Sequence, residues 1–202
     1  MKGNIFVISG PSGVGKTTLV KKVKKVVPGL WISVSATTRP KRKGERHGID
    51  YYFLSEEEFR KKIEEGYFLE YAKVFHWYYG TPKEPIYEQL EQGVDVILEI
   101  DVQGGEKLME IFPHGVFIFI LPPSWKALEE RIKGRKTEGK EVIKMRLERA
   151  REELRYVERY THVVVNNHLD TAIRDISYII KADRLRKERM KETIRRLNVH
   201  TG

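Results

Sequence analysis

Residues 10–17 have the composition of a phosphate-binding loop. They read Gly10-Pro11-Ser12-Gly13-Val14-Gly15-Lys16-Thr17, and they lie between an apolar run at residues 5–8 and a helix-like segment at residues 18–27. Glycines let the backbone curl so that several N–H groups face one anion, and the N-terminus of the following helix adds positive potential. In this spacing the lysine can reach the β- and γ-phosphates, and the threonine can bind magnesium. The sequence therefore predicts a nucleotide site, since a plain tight turn does not need all these residues between a strand and a helix.

A second group of residues suggests another anion site. Residues 35–53 are rich in arginine, lysine and tyrosine. Guanidinium groups form bidentate hydrogen bonds with phosphate, and phenols donate single directed ones. A solvated basic loop would have the same composition. Three later segments favour the anion site, and they read Phe68-Leu69-Glu70-Tyr71-Ala72, Tyr78-Tyr79-Gly80-Thr81 and Glu99-Ile100-Asp101-Val102-Gln103-Gly104.

The elements that must position these residues alternate along the chain. Strand-like runs recur at residues 5–8, 31–34, 94–100, 116–121 and 163–165, with helix-like segments beside them. Such alternation predicts a parallel α/β sheet with helices on both faces. Residues 37–92 break the rhythm with short strand signals at 51–54 and 68–74. We interpret this stretch as an inserted lobe.

Helix boundaries are indicated by capping residues. Ser55 and Glu58 form a capping box that begins a helix ending near Gly66, and Ser124 is an N-cap for a helix ending near Lys133. A polar segment with two glycines follows it. Beyond that segment the sequence predicts a long helix over residues 141–159 and a final basic helix over 170–196.

The composition fits one globular unit. Of 202 residues 40% are hydrophobic, which is enough for one well-buried core but not for two full-size domains. The chain has no cysteine, and its first residues lead directly into a strand without room for a signal peptide. The longest apolar run, at residues 116–121, has the length of a buried strand. We therefore expect a cytoplasmic protein without disulfides or membrane association.

The basic charge balance leaves two kinds of partner open. A formal net charge of +9 suits nucleic acid, and it equally suits a protein whose substrates are small polyanions. The basic residues 181–196 would support a nucleic-acid-binding ATPase, but a solvated helix end explains them as well. We expect no nucleic-acid partner.

The motifs together resemble those of the guanylate kinase family over nearly the whole chain. The shared patterns are the G-P-S-G-x-G-K-[ST] loop, S-x-T-T-R with R-x-G-E and G-x-D-Y-x-F after it, F-[LI]-E-[WY]-A, Y-Y-G-[ST] and I-D-x-Q-G. The resemblance implies an α/β, P-loop NTPase three-layer fold with a central parallel sheet, an inserted GMP-binding lobe and a short lid. It divides the single domain, residues 1–202, into a core at about 1–36 and 93–202, a lobe at about 37–92 and a lid at about 134–145. Departures from the pattern are Pro40, the pair His76-Trp77, and Lys136.

The activity that the resemblance implies is transfer of the γ-phosphoryl group of ATP to GMP, with dGMP as a further acceptor, in purine nucleotide metabolism. The substrates would be ATP and GMP, the products ADP and GDP, and the cofactor Mg²⁺. The residues implied for ATP are Gly10, Pro11, Ser12, Gly13, Val14, Gly15, Lys16, Thr17, Thr18, Arg131 and Asn166. The residues implied for GMP are Ser35, Arg39, Arg42, Glu45, Tyr51, Glu70, Tyr79, Thr81 and Asp101. Phosphoryl transfer needs alignment and charge neutralisation, which the resemblance gives to Lys16, Arg39, Arg135 and Arg146.

Glu70 is the residue expected to select the base. Guanine presents N1–H and N2–H₂ as adjacent donors, for which a carboxylate is a matched pair of acceptors, and adenine has no such donor pair on that edge. Asp101 would assist at the amino group, or it would hold magnesium through water beside Thr17. Glu99, two residues earlier, faces the same side of its strand. The sequence leaves these roles of Asp101 open.

Two further functions remain alternatives. A guanylate-kinase-like protein-binding module would keep the fold without catalysis, although such modules tend to lose the lysine, threonine and lid arginines that this chain retains. A kinase for another nucleoside monophosphate is the second alternative.

For Arg149 and Arg151 the sequence favours a solvated helix face paired with Glu152 and Glu153.

Overall fold

The computed structural model describes residues 2–74, 76–134 and 140–197. In chain order its elements are β1 (Ile5–Ser9), α1 (Lys16–Val26), β2 (Leu30–Ile32), β3 (Ala36–Thr37), β4 (Tyr52–Phe53), α2 (Glu56–Glu64), β5 (Phe68–Val74), β6 (Trp77–Pro82), α3 (Glu84–Glu91), β7 (Asp95–Glu99), α4 (Val102–Ile111), β8 (Val116–Leu121), α5 (Trp125–Lys133), α6 (Lys140–Leu154), a 3₁₀ turn (Val157–Arg159), β9 (His162–Val165), α7 (Leu169–Arg184) and α8 (Lys191–Arg196). The predicted strands and helices are present within a few residues of the expected bounds, apart from those discussed below.

A five-stranded parallel sheet lies between two hydrophobic layers, in the order β2-β7-β1-β8-β9. Successive side chains of a strand point to opposite faces. Phe6 therefore packs with Leu19 of α1 on one face, and Val7 packs with Leu108 of α4 on the other. This arrangement confirms the predicted three-layer α/β class. None of the helices in the described part of the chain is long and apolar enough to cross a membrane.

A second, four-stranded sheet lies within the stretch that interrupts the α/β alternation, in the order β4-β3-β6-β5. Helix α2 packs on it through the buried Phe59, whose ring stacks on Phe68 and Tyr78 at centroid distances of 4.6 and 5.5 Å. The capping box is confirmed, because Ser55 Oγ accepts from the Glu58 amide and the Glu58 carboxylate accepts from the Ser55 amide. Strand β6 was not predicted.

The C-terminal helix is interrupted where the sequence predicts one continuous helix over residues 170–196. Helix α7 ends at Arg184, and a turn separates it from α8. Within that turn Arg189 donates to Asp95 Oδ1 and to Asp183 Oδ2, both at 2.6 Å, and both carboxylates are buried. The expectation of one helix was wrong because the chain turns back to bring this cation to two buried anions. Helix α6 likewise ends at Leu154, before the 3₁₀ turn, rather than at residue 159.

Replacing Arg189 with glutamine is expected to lower the free energy of unfolding by about 2–4 kcal/mol. The change removes one cationic partner from each of two buried carboxylates. Removing one member of a buried ion pair is costly because the remaining charge stays buried. Arg184 still donates to Asp95 at 2.7 Å, so the loss stays below that of an isolated buried charge. Chemical denaturation measures the effect. Arg186→Gln is the matched control, since that half-exposed side chain lies 3.6 Å from Asp183 and should change stability by less than about 1 kcal/mol. Equal losses in the two variants would contradict this account.

Candidate active site

The loop between β1 and α1 is held in shape by neighbouring elements. Gly10 has φ 145°, and a Cβ there would lie 2.4 Å from the carbonyl oxygen of Ile120 in β8, so only glycine fits. Asn166 Nδ2 donates to the Val14 carbonyl at 2.7 Å, and Arg131 donates to the Asn166 carbonyl at 3.0 Å. Two residues predicted for ATP, Arg131 and Asn166, therefore lie against the predicted phosphate loop.

Lys16 places its ammonium group inside this loop. Its Nζ donates to the carbonyl oxygens of Gly10 at 2.5 Å and Pro11 at 3.3 Å. Burial lowers the pKa of Lys16, and the nearby carboxylates of Glu153 and Glu99 oppose that shift. The loop thus holds a partly buried cation that an incoming phosphate can attract.

Thr17 and Glu99 form a hydrogen-bonded pair at the same edge of the sheet. Thr17 Oγ1 donates to Glu99 Oε1 at 2.5 Å, and burial raises the pKa of Glu99. A hydroxyl and a carboxylate are oxygen ligands of the kind that Mg²⁺ prefers. Within the described ranges no three His, Cys, Asp or Glu side chains form a metal cluster. A magnesium ion held by a few protein oxygens, water and substrate phosphates fits this donor set.

A cavity connects the loop with the second sheet. Its lining includes Lys16, Ser35, Tyr51, Glu70, Tyr79, Glu99 and Asp101. A neighbouring cleft shares several of these residues and adds Thr17, Arg39, Arg42 and Glu45. The structure thus brings the predicted acceptor residues to the same region as the predicted donor loop, although Lys16 and Asp101 are 85 residues apart along the chain.

Glu70 points into this cavity from β5. A register shift between Phe68 and Glu70 places it opposite Thr81, whose Oγ1 donates to Glu70 Oε1 at 2.5 Å. Only 7% of the residue is exposed. Burial raises the pKa of Glu70 to about 7, with the charge of Asp101 adding to the shift and the Thr81 hydrogen bond opposing it. Glu70 is a buried acceptor whose ionisation lies near neutral pH.

Between β3 and β4, Glu45 holds the side chain of Arg39 and the backbone of Arg42. Arg39 donates to both Glu45 carboxylate oxygens, at 2.8 and 3.0 Å, and lies over the Tyr51 ring at 5.5 Å. The backbone N–H of Arg42 donates to the same carboxylate at 2.8 Å. Burial raises the pKa of Tyr51 to about 12, so this phenol remains a donor at neutral pH. The Arg39 guanidinium and the Tyr51 phenol therefore lie together beside the cavity, and Arg42 lines the neighbouring cleft.

Helix α6 contributes a buried arginine to the loop. Arg146 is buried, and its Nη2 donates to Ser12 Oγ at 2.8 Å. Arg135, the other arginine predicted for the lid, lies outside the described residues. Arg151 is exposed as expected, with its guanidinium over the Trp125 ring at 4.8 Å.

Arg149 does not lie on a solvated face, so that expectation was wrong. Its Nη2 donates to Asp101 Oδ2 at 3.1 Å, and its Nε donates to Glu153 Oε1 at 2.9 Å. The expected pairing with Glu153 is thus present, but it points into the molecule. The signal that could have found this face is the spacing of Arg146, Arg149 and Glu153 around the fully buried Ala150.

The carboxylate of Asp101 is held by the protein itself. Asp101 is the N-cap of α4, where Oδ1 accepts from the Gly104 amide at 2.9 Å while Oδ2 accepts from Arg149. Glu99 rather than Asp101 contacts Thr17. The sequence places Glu99 on the same strand face as Asp101 but predicts no role for it.

Comparison with known proteins agrees with this geometry. The family model described as guanylate kinase matches residues 2–183. A guanylate kinase of Caldanaerobacter subterraneus subsp. tengcongensis is 52% identical, with 95% of this chain and 93% of the relative covered, and one of Carboxydothermus hydrogenoformans is 45% identical over 94% and 93%. The crystal structure of guanylate kinase from Anaplasma phagocytophilum superposes with a TM-score of 0.79 at 35% identity, covering 96% of this chain and 94% of that one. The chain belongs to the guanylate kinase family, as its sequence motifs had indicated.

Proposed function

We propose that this chain phosphorylates GMP with ATP, binding the ATP phosphates at the loop between β1 and α1 and GMP in the cavity beside the second sheet. Membership in the guanylate kinase family supports the activity. The observation that carries the residue assignment is that Glu70 and Lys16 line one cavity, so a base at the first would direct its phosphate toward the second.

The acceptor base is selected by buried acceptors. The Glu70 carboxylate accepts the paired donors of guanine, and Thr81 fixes its orientation. Ser35 and Asp101 complete the polar lining. Adenine would offer the buried carboxylate no paired donors, and a buried acceptor that loses such donors gives strong discrimination between bases.

The monophosphate of GMP binds to the cationic and phenolic groups beside the cavity. Arg39 and Arg42 provide the charge, and Tyr51 and Tyr79 donate hydrogen bonds. Glu45 keeps Arg39 in place before the phosphate arrives. We assign residues of about 37–92 to a GMP-binding lobe on this basis.

The donor site aligns ATP and neutralises its charge. Lys16 and backbone N–H groups of the loop between β1 and α1 hold the ATP phosphates, while Arg131 and Asn166 support the loop from the adenine side. Arg39, Arg135 and Arg146 stabilise the charge that spreads over the transferred group. A lid at about residues 134–145, of which 135–139 lie outside the described part of the chain, and the lobe would close over both nucleotides and exclude the water that competes for ATP.

A divalent cation, Mg²⁺, fits the pair of oxygen donors at Thr17 and Glu99. Bound with the nucleotide, it would neutralise phosphate charge and fix the phosphates' orientation. The Thr17 hydroxyl would hold the ion directly, and Glu99 would hold it directly or through water. Glu99 rather than Asp101 contacts Thr17, and Asp101 lines the cavity with Glu70, so we assign Asp101 to the base.

A panel of acceptors tests the proposed function. ADP formation from ATP is measured with GMP, dGMP, AMP, UMP and dTMP under the same conditions. We expect GMP to exceed AMP in kcat/KM by about 10⁴-fold, because a site built on paired hydrogen bonds rejects a base that cannot form them. Preference for another base would contradict the role of Glu70. A folded protein with no turnover on any acceptor would instead support the protein-binding module. The absence of a nucleic-acid partner stays a prediction from the sequence.

A further inference from the structure

One face of helix α6 touches both substrate sites. Arg146, Arg149 and Glu153 are three and four residues apart, which places them on the same side of the helix. Arg146 reaches the phosphate loop at Ser12, and Arg149 reaches Asp101 at the wall of the GMP cavity. The residues of this face thus lie between the donor and the acceptor pockets.

Glu153 fixes one side of the Arg149 guanidinium. Its Oε1 accepts from Arg149 Nε at 2.9 Å, and its Oε2 accepts from the Ser12 amide of the loop at 2.9 Å. The Glu153 side chain is only 8% exposed. Because both oxygens are used and little solvent is present, the carboxylate holds Arg149 at a defined distance from the phosphate loop.

The other side of the guanidinium fixes Asp101. The two side chains are about one-fifth exposed, with values of 19% for Arg149 and 21% for Asp101, and their contact spans 48 residues of sequence. Asp101 also accepts from the Gly104 amide, and Gly104 packs so closely on Glu70 that a Cβ there would lie 2.8 Å from Glu70 Oε2. The position of Asp101 therefore affects the geometry around the Glu70 carboxylate, which selects the base.

We infer that Arg149 is a positioning residue that aligns Asp101 for guanine binding and ties it to the phosphate loop through Glu153. This inference rests on the proposed function, in which Asp101 contacts the base. Arginine suits the task because its rigid fork can donate to two carboxylates at once. Lysine, a point charge on a flexible stem, can hold one of them well but not both in fixed geometry.

The test compares Arg149→Gln, Arg149→Lys and the control Arg151→Gln, whose parent side chain lies exposed on the same helix. GMP dissociation constants are measured by calorimetry without ATP, and kcat and both KM values by coupled assay. We expect Arg149→Gln to weaken GMP binding about tenfold, the loss of roughly one hydrogen bond to a charged group, with KM for ATP changed less than about threefold. Arg149→Lys should lie between this variant and the wild type, and Arg151→Gln should match the wild type. Melting temperatures show that each variant is folded.

A double-mutant cycle with Asp101→Asn separates the outcomes. If Arg149 acts through Asp101, the double variant should bind GMP no more weakly than Asp101→Asn alone. Additive losses would overturn the inference, as would a fall in kcat with unchanged GMP binding, which would make Arg149 a direct phosphate contact. If Asp101→Asn itself leaves GMP binding intact, the proposed role of Asp101 fails and the inference fails with it. If Asp101→Asn weakens binding and Arg149→Gln does not, only the inference about Arg149 fails.

Discussion

Replacing Lys16 with methionine is expected to lower kcat by about 10²–10³-fold while leaving the protein folded. The lysine is a preorganised cation inside the phosphate loop, and removing one such donor from a transition-state site has an effect of this size. Methionine fills a similar length without the charge. Since burial lowers the Lys16 pKa, the charged lysine costs the folded state free energy at neutral pH, and the melting temperature should not fall.

The matched control for this change is Lys22→Met on the exposed side of the same helix. That variant removes an equal charge away from the loop, and we expect its kcat to stay within about twofold of the wild type. Single-turnover kinetics measure the transfer step directly. If the Lys16 variant kept more than about one-tenth of the wild-type rate, the loop N–H groups alone would supply the stabilisation, and the role given to the lysine would be wrong.

Features that depend on neighbouring residues could be predicted from the sequence. The phosphate loop follows from the spacing of its glycines with Lys16, and the capping box follows from Ser55 and Glu58 three residues apart. The central strands follow from short apolar runs, because both faces of a parallel sheet are covered. In each case the residues that produce the feature lie within a few positions of it, so the local sequence pattern predicts the feature.

Features that depend on distant contacts could not be predicted from the sequence. The turn after α7 exists because Arg189 reaches Asp95, 94 residues away, and helical periodicity gives no sign of that pairing. The sequence likewise favours a solvated face for Arg149, because its partner Asp101 lies 48 residues away and local spacing does not reveal the contact. Glu99 and Asp101 have the same charge on the same strand end, and only the fold shows that the first meets Thr17. Charged residues near the site were therefore the least predictable part of it.

Replacing Glu70 with glutamine is expected to lower kcat/KM for GMP by about 10²–10³-fold. The amide keeps one acceptor but turns an N–H₂ group toward the donors of guanine, so one charged hydrogen bond is lost and one buried donor is left unpaired. Initial rates over a range of GMP concentrations measure the effect, with KM for ATP as an internal reference. Glu64→Gln, an exposed change on α2, is the control and should match the wild type. A GMP preference over AMP that survives in Glu70→Gln would mean that another group reads the base.

The same variant should be more stable than the wild type without substrate. Folding raises the Glu70 pKa from 4.5 to about 7, so between these pH values the folded protein binds more protons than the unfolded chain. The free energy of unfolding therefore falls as the pH rises through this range, and above it the ionised carboxylate costs the fold up to about 3 kcal/mol. At about pH 8 glutamine removes that cost, which denaturation at several pH values would show. Loss of GMP binding together with a gain in stability would distinguish a missing contact from a damaged fold.

The raised pKa also sets the direction in which GMP affinity changes with pH. Below about pH 7 Glu70 takes up a proton and becomes a donor at one oxygen, so it no longer matches the two donors of guanine. Lowering the pH from about 8 to about 6 should therefore weaken GMP binding in the wild type. The GMP phosphate itself titrates near pH 6, by analogy with phosphorylated side chains. The contribution of the phosphate to the pH dependence of GMP binding is measured separately in the Glu70→Gln variant, which lacks the carboxyl group. The difference between the two pH profiles isolates Glu70, and identical profiles would show that the base is held by groups that do not titrate in this range.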